Sequence, residues 1–121
     1  MDPIAGAGRH GLGSDERIRR RAEFERAYAQ GQRASGRFLT VVVLPNGLAV
    51  SRLGLAASKK LGDAVRRNRA RRRVREVFRR NKPVPGYDIV VIPRRELLDA
   101  EFASLEADYR AVLRRRIGRH A

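Results

Sequence analysis

The side chains best suited to chemistry crowd into one stretch, Ala57 to Lys82, which reads ASKKLGDAVRRNRARRRVREVFRRNK. From Lys59 to Lys82, twelve basic side chains are opposed only by Asp63 and Glu76, so most of the chain's formal charge of +15 sits here. A packed core does not need that charge, and like charges one turn apart weaken an isolated helix. The chemistry is therefore recognition of a polyanion. Of 28 basic residues 25 are arginine, whose planar donor fork matches phosphate oxygens and stacks on bases. Nucleic acid is the expected partner, with an anionic membrane surface the weaker option.

A second set is Phe24 and Tyr28, four residues apart and just after Arg19, Arg20 and Arg21. Two aromatics on one helix face beside positive charge make a platform on which unpaired bases stack. The same spacing also serves a core, and both readings stand at this point.

No catalytic constellation accompanies these sets. There is no cysteine, and His10 and His120 both lie near the termini, so neither a thiolate nor a histidine metal site is expected. Nucleotide-binding glycine loops and zinc-protease motifs are absent. Ser58 precedes Lys59, but adjacency in sequence is not a dyad. Glu101, Glu106 and Asp108 read as solvated charges on a helix face. Any reaction involving this chain must draw its chemistry from elsewhere.

The elements that position these residues follow from pattern. A helix ends near Gln30, with Gly31 as its stop. Residues 37–44, RFLTVVVL, form a strand with Phe38, Thr40 and Val42 on one face and Leu39, Val41 and Val43 on the other. Both faces are apolar, so the strand is covered twice or lines a groove. Pro45-Asn46-Gly47 turns it into a second strand, residues 50–57, expected to pair antiparallel with the first; Gly54 inside it marks a bulge or a close backbone approach. Asp63 caps a long helix reaching about Asn81, with Ala70, Val74, Val77 and Phe78 as its buried stripe. Residues 87–92, YDIVVI, form a central strand. Asp99 is the expected cap of a last helix whose stripe is Phe102, Leu105, Tyr109 and Val112, with Arg114, Arg115 and Arg116 at its negative dipole end.

At 121 residues the chain is one domain able to bury a core without staples. Residues 1–16 read as a flexible N-terminal extension and 117–121 as a tail, which leaves 17–116 as the folded, nucleic-acid-binding domain. No apolar run approaches the roughly 18–20 residues that span a bilayer, and no signal-like segment opens the chain. The expected address is the cytoplasm, with no membrane and no obligate protein partner.

The run Ser58-Lys59-Lys60-Leu61-Gly62-Asp63-Ala64-Val65-Arg66-Arg67-Asn68-Arg69-Ala70-Arg71-Arg72 closely resembles the motif of the bacterial ribonuclease P protein subunit, S-K-K-x-G-x-A-V-x-R-N-R-x-K/R-R. Arg17-Ile18, Glu23-Phe24 with Tyr28, and the strand Tyr87 to Ile92 resemble further parts of that family. The resemblance implies an α+β fold, an α-β-β-β-α-β-α sandwich with a small mixed sheet and an extra strand near Arg33 to Ser35. It also implies a left-handed βαβ crossover carrying the basic helix, against the general right-handed preference. It implies a cofactor role beside a catalytic RNA that, with Mg²⁺ held mainly by the RNA, hydrolyses precursor tRNA at the mature 5′ end. Carried over by position, Lys59, Lys60, Arg67, Asn68, Arg69, Arg71, Arg72 and Arg75 contact the catalytic RNA. Phe24, Tyr28, Val41 and Ser58 line a groove for the single-stranded 5′ leader. Val41 stands where the family often has a third aromatic. Arg73 stands where it often has an apolar residue, and either snorkels along the helix or reaches RNA. A basic structural protein of the ribosome fits the composition equally but not the motif. A DNA-binding module lacks helix-turn-helix spacing.

Overall fold

The computed structural model describes residues 14–117. A 3-10 turn, Ser14–Glu16, precedes helix α1 (Arg21–Gln30), strands β1 (Gln32–Ser35), β2 (Leu39–Pro45) and β3 (Arg52–Leu55), a second 3-10 turn (Lys59–Leu61), helix α2 (Ala64–Arg80), strand β4 (Tyr87–Pro93), a third 3-10 turn (Arg95–Asp99) and helix α3 (Phe102–Arg114). This is the expected α-β-β-β-α-β-α order, extra strand included. Residues 1–13 and 118–121 of the anticipated extension and tail lie outside the described residues. Ser14–Glu16 forms a 3-10 turn, and Ile117 is buried in the core.

The sheet order is β1-β2-β4-β3. β1 and β4 pair antiparallel with β2, whereas β3 runs parallel to β4. This corrects the expected hairpin between β2 and β3, because β4 stands between them. Ile89, Val90 and Val91 of β4 are fully buried, and a strand apolar on both faces belongs in the centre of a sheet. The loop after β2 is tied to the same strand: Asn46 Nδ2 donates to Asp88 Oδ1 at 2.9 Å and to the Val50 carbonyl at 3.2 Å. A parallel neighbour requires a crossover, and α2 supplies it between β3 and β4.

The sheet is covered on both faces. On one, α2 and α3 pack over Leu39, Val41, Val43, Leu53, Ile89 and Val91. On the other, Ala27 of α1 and Ile18 pack with Val42 and Val90. Gly31 ends α1, but not through left-handed backbone: its φ is −78°. Glycine is needed there for space, since a Cβ would stand 2.5 Å from the Ala27 carbonyl oxygen and 2.7 Å from Val42 Cγ1.

α2 forms as its pattern dictates. The Asp63 carboxylate accepts the Arg66 N–H at 3.0 Å, and Ala70, Val74, Val77 and Phe78 are all at most 1% exposed. α3 departs from expectation at its start. Asp99 closes the preceding 3-10 turn, Ala100 and Glu101 are extended, and no side chain caps the helix. Glu106 and Asp108 are also not merely solvated. Asp108 accepts the N–H groups of Arg37 and Phe38 at 3.0 and 2.9 Å. Glu106 accepts Asn81 Nδ2 at 2.8 Å. Arg115 and Arg116 donate to the Ser35 and Arg33 carbonyls at 2.9 and 2.8 Å, tying the end of α3 to the edge strand.

One buried ion network fastens α1 to the sheet. Arg52 grips Asp88 through Nε and Nη2, each at 2.8 Å, and reaches Glu23 of α1 at 3.0 Å. Burial alone would push the Asp88 carboxyl up, but the hydrogen bonds from Arg52 and Asn46 and the Arg52 charge hold it below its ordinary value. A depressed folded pKa contributes stability that is complete above the unfolded value, about 4, and is lost as pH falls through the folded one. Asp88→Asn is expected to cost about 2–3 kcal/mol at pH 7, with the gap to wild type narrowing toward pH 3. Urea unfolding at both pH values checks this; an equal gap at the two would contradict it.

Candidate nucleic-acid interface

The helical period sets what each arginine of α2 can do. With the apolar stripe facing the sheet, Asn68, Arg69 and Arg72 fall on the outer side and are exposed. Lys59 and Lys60 are exposed on the 3-10 turn, which is closed by Ser58 Oγ accepting the Lys60 N–H at 3.2 Å. Arg67, Arg71 and Arg75 are half-buried on the flanks. Arg67 donates to the Gly62 carbonyl at 3.2 Å and so braces that turn. Arg71 donates to Asn68 Oδ1 at 2.9 Å, so Asn68 orients a guanidinium within the basic face. Among the described residues, Lys59, Lys60, Arg69, Arg72 and Arg75 make no ion pair and no side-chain hydrogen bond.

The far end of the helix is different. Arg79 pairs with Glu76 at 2.6 Å, Arg80 approaches Glu106 at 3.5 Å and covers the Phe102 ring at 5.1 Å, and Lys82 pairs with Glu16 at 2.9 Å. Arg73 turns to the protein as well, donating to the Ala100 carbonyl. Burial, then the like charge of Arg69, pushes its pKa down against the pull of Asp99. Along α2 and the turn before it, the cations that lack a partner among the described residues thus lie between Lys59 and Arg75.

The aromatic pair lies on the opposite layer. Strand register places Arg33, Val42, Val90 and Gly54 in one cross-strand row of that face. Ser35, Thr40 and Ile92 form the next row, and Ala56, whose N–H bonds the Val91 carbonyl, extends it. Ala27 of α1 is fully buried over the first row. The second row is open: Ser35 is exposed, and Thr40, Ile92 and Ala56 are half-buried. Phe24 stands over Gly54, where a Cβ would lie 2.9 Å from its ring. Tyr28 is 40% exposed with the Arg33 guanidinium 5.8 Å from its ring centroid. The Ser35 and Thr40 hydroxyls share a hydrogen bond of 2.9 Å. The outcome is a groove with an aromatic wall and a floor of hydroxyl and aliphatic groups. Ser58, exposed, lies two residues beyond Ala56 at its end.

Val41 does not belong to this groove. It is fully buried on the α2 and α3 face, because strand alternation sends it opposite to Thr40 and Val42. The floor residues that sequence reasoning missed are Ser35, Thr40, Ile92 and Ala56. Alternation carried the signal for Thr40, but the face covered by α1 had to be known to use it.

Among the described residues no cluster of three His, Cys, Asp or Glu is placed to hold a metal ion. No helix among them is long and apolar enough to cross a membrane.

A family described as Ribonuclease P matches residues 12–116. The chain is similar to the ribonuclease P protein component of Thermotoga maritima, 46% identical over 84 residues, covering 68% of this chain and 72% of that protein. The corresponding protein of Coxiella burnetii is 47% identical over 94 residues, covering 76% and 72%. Among solved structures, the Thermotoga maritima RNase P protein superposes with a TM-score of 0.75 at 38% identity, covering 83% of this chain and 96% of that one. The Staphylococcus aureus RNase P protein gives 0.72 at 34% identity, covering 82% and 93%.

Proposed function

The chain belongs to the ribonuclease P protein family, and we propose from that premise that it binds the catalytic RNA of ribonuclease P and the 5′ leader of precursor tRNA. The RNA, with Mg²⁺, hydrolyses the phosphodiester that frees the mature 5′ end; the protein works beside it in the cytoplasm. The observation that carries this reading is the cluster of cations between Lys59 and Arg75 that have no acidic partner among the described residues. A fold holds bare like charges together most readily where a polyanion completes them.

The residues divide the work by chemistry. Lys59, Lys60, Arg69 and Arg72 meet phosphates of the catalytic RNA, and each such meeting releases counterions, which makes affinity fall steeply with salt. Arg67 and Asn68 position the turn and Arg71. Phe24 and Tyr28 offer ring faces to leader bases, while Ser35 and Thr40 offer hydroxyls to their edges. Tyr28 is the more exposed ring and the better test.

Tyr28→Ala is expected to weaken holoenzyme binding of leader-bearing precursor by about 5- to 100-fold, the worth of one stacked base, and to leave binding of mature tRNA unchanged. Equal losses for both RNAs, measured by filter binding, would contradict a leader role for the groove. A purely structural ribosomal role predicts no dependence on leader length at all.

A further inference from the structure

Between the groove and the basic helix lies a hollow of about 190 Å³ whose lining includes Arg17, Arg19, Phe24, Leu55, Arg71 and Arg75. It opens at the β3 edge of the sheet. There Arg17 bridges to Leu53 as a parallel extension of the sheet, and the Ile18 N–H bonds the Leu53 carbonyl at 2.9 Å. Phe24 reaches the hollow from the α1 layer, and Arg71 and Arg75 reach it from the α2 layer. The aromatic groove and the basic face therefore meet at this edge.

The hollow is electrostatically incomplete. Among the described residues four arginines line it and no carboxylate does. Arg17 Nε is buried without a hydrogen-bond partner among the described residues, and a buried donor left unpaired is costly. Burial, then the like charges of Arg17, Arg71 and Arg72, pushes the Arg75 pKa below its ordinary value. An anion with several acceptor oxygens resolves each of these features. The ring of Phe24 and the aliphatic floor add room for the sugar or base attached to it.

We propose that this hollow is a phosphodiester site, in which Arg17 and Arg75 clamp one backbone phosphate of the single-stranded leader as it leaves the groove and rounds the sheet edge toward α2. The proposal rests on the leader-binding reading and adds to it a location and a residue, Arg17, whose position beside Ile18 the groove itself does not use.

The test is a cycle between protein and substrate, run on the reconstituted holoenzyme. Leader phosphates of precursor tRNA are replaced one at a time by neutral methylphosphonates, and binding is measured with wild type and with Arg17→Met. Neutralising one leader phosphate is expected to weaken wild-type binding about tenfold and to have no further effect in Arg17→Met. Additive losses at every position would overturn the proposal. So would a larger loss of catalytic-RNA affinity than of leader affinity in Arg17→Met, which would assign the hollow to the other RNA. Arg75→Gln, checked for an unchanged melting temperature, repeats the cycle from the opposite wall. If the proposal fails while Tyr28→Ala still loses leader discrimination, the leader groove stands and only the phosphate site falls.

Discussion

Replacing Lys60, Arg69 and Arg72 together by alanine is expected to weaken binding of the catalytic RNA by on the order of a thousandfold, at about tenfold for each charge-assisted hydrogen bond to phosphate. The slope of log affinity against log salt should flatten by roughly two to three, one for each phosphate that is no longer neutralised. Nothing in the described fold depends on the charge of these three: all are exposed, and among the described residues none makes an ion pair or a side-chain hydrogen bond. The melting temperature should therefore hold or rise, since like charges are removed from one helix face. Arg79, Arg80 and Lys82 provide the contrast. They carry the same charge, but Glu76, Glu106 and Glu16 already engage them. Neutralising that set should change RNA affinity far less and stability more. Equal losses of affinity in the two triple variants would mean that net charge alone sets binding and that the face of α2 does not matter.

The second large effect concerns how that face is held. Phe78 is 1% exposed and packs in the core beneath α2. Phe78→Ala is expected to cost about 3–5 kcal/mol, a large part of the roughly 5–15 kcal/mol typical of a domain's stability. A thermal melt should drop by on the order of 10–20 °C. The basic residues stay in place in sequence but lose the platform that presents them. On the proposed reading RNA binds the folded chain alone, so saturating catalytic RNA is expected to recover part of the lost melting temperature. A melt within a few degrees of wild type would show that α2 is not anchored by this stripe.

Much of this arrangement is legible in the chain. The stripe of Ala70, Val74, Val77 and Phe78 announces itself by its 3.6-residue period, and Asp63 caps where a carboxylate should. β2 and β4 are readable as apolar runs closed by proline. β1 is not, because Gln32–Ser35 buries only Ala34 and takes its place from pairing with β2 rather than from its own pattern. Strand order is hidden for a related reason. Pro45-Asn46-Gly47 looks like a local hairpin turn, whereas the decisive partners are distant: Asn46 and Arg52 both bind Asp88, from positions 42 and 36 residues away. The groove shows the limit most plainly. The alternation holds along residues 39–43, but Phe38 precedes β2 and packs with Leu39, Val41 and Val43 rather than on the Thr40 and Val42 face the pattern gave it; nothing local says which face α1 covers. Family position puts Val41 with the groove, but it is Thr40, its neighbour, that lies on the groove floor. The division among the arginines is equally out of reach, since pairing with Glu16 or Glu106 depends on tertiary neighbours.

The central claim, that this chain assists an RNA catalyst and supplies none of the chemistry, is tested most directly by cleavage of precursor tRNA at low Mg²⁺ with three mixtures: catalytic RNA alone, protein alone, and both. The expected result is slow or undetectable cleavage by the RNA alone, none by the protein alone, and efficient release of the 5′ leader by the two together. Cleavage by the protein alone, or no stimulation of the RNA by the protein, would contradict it.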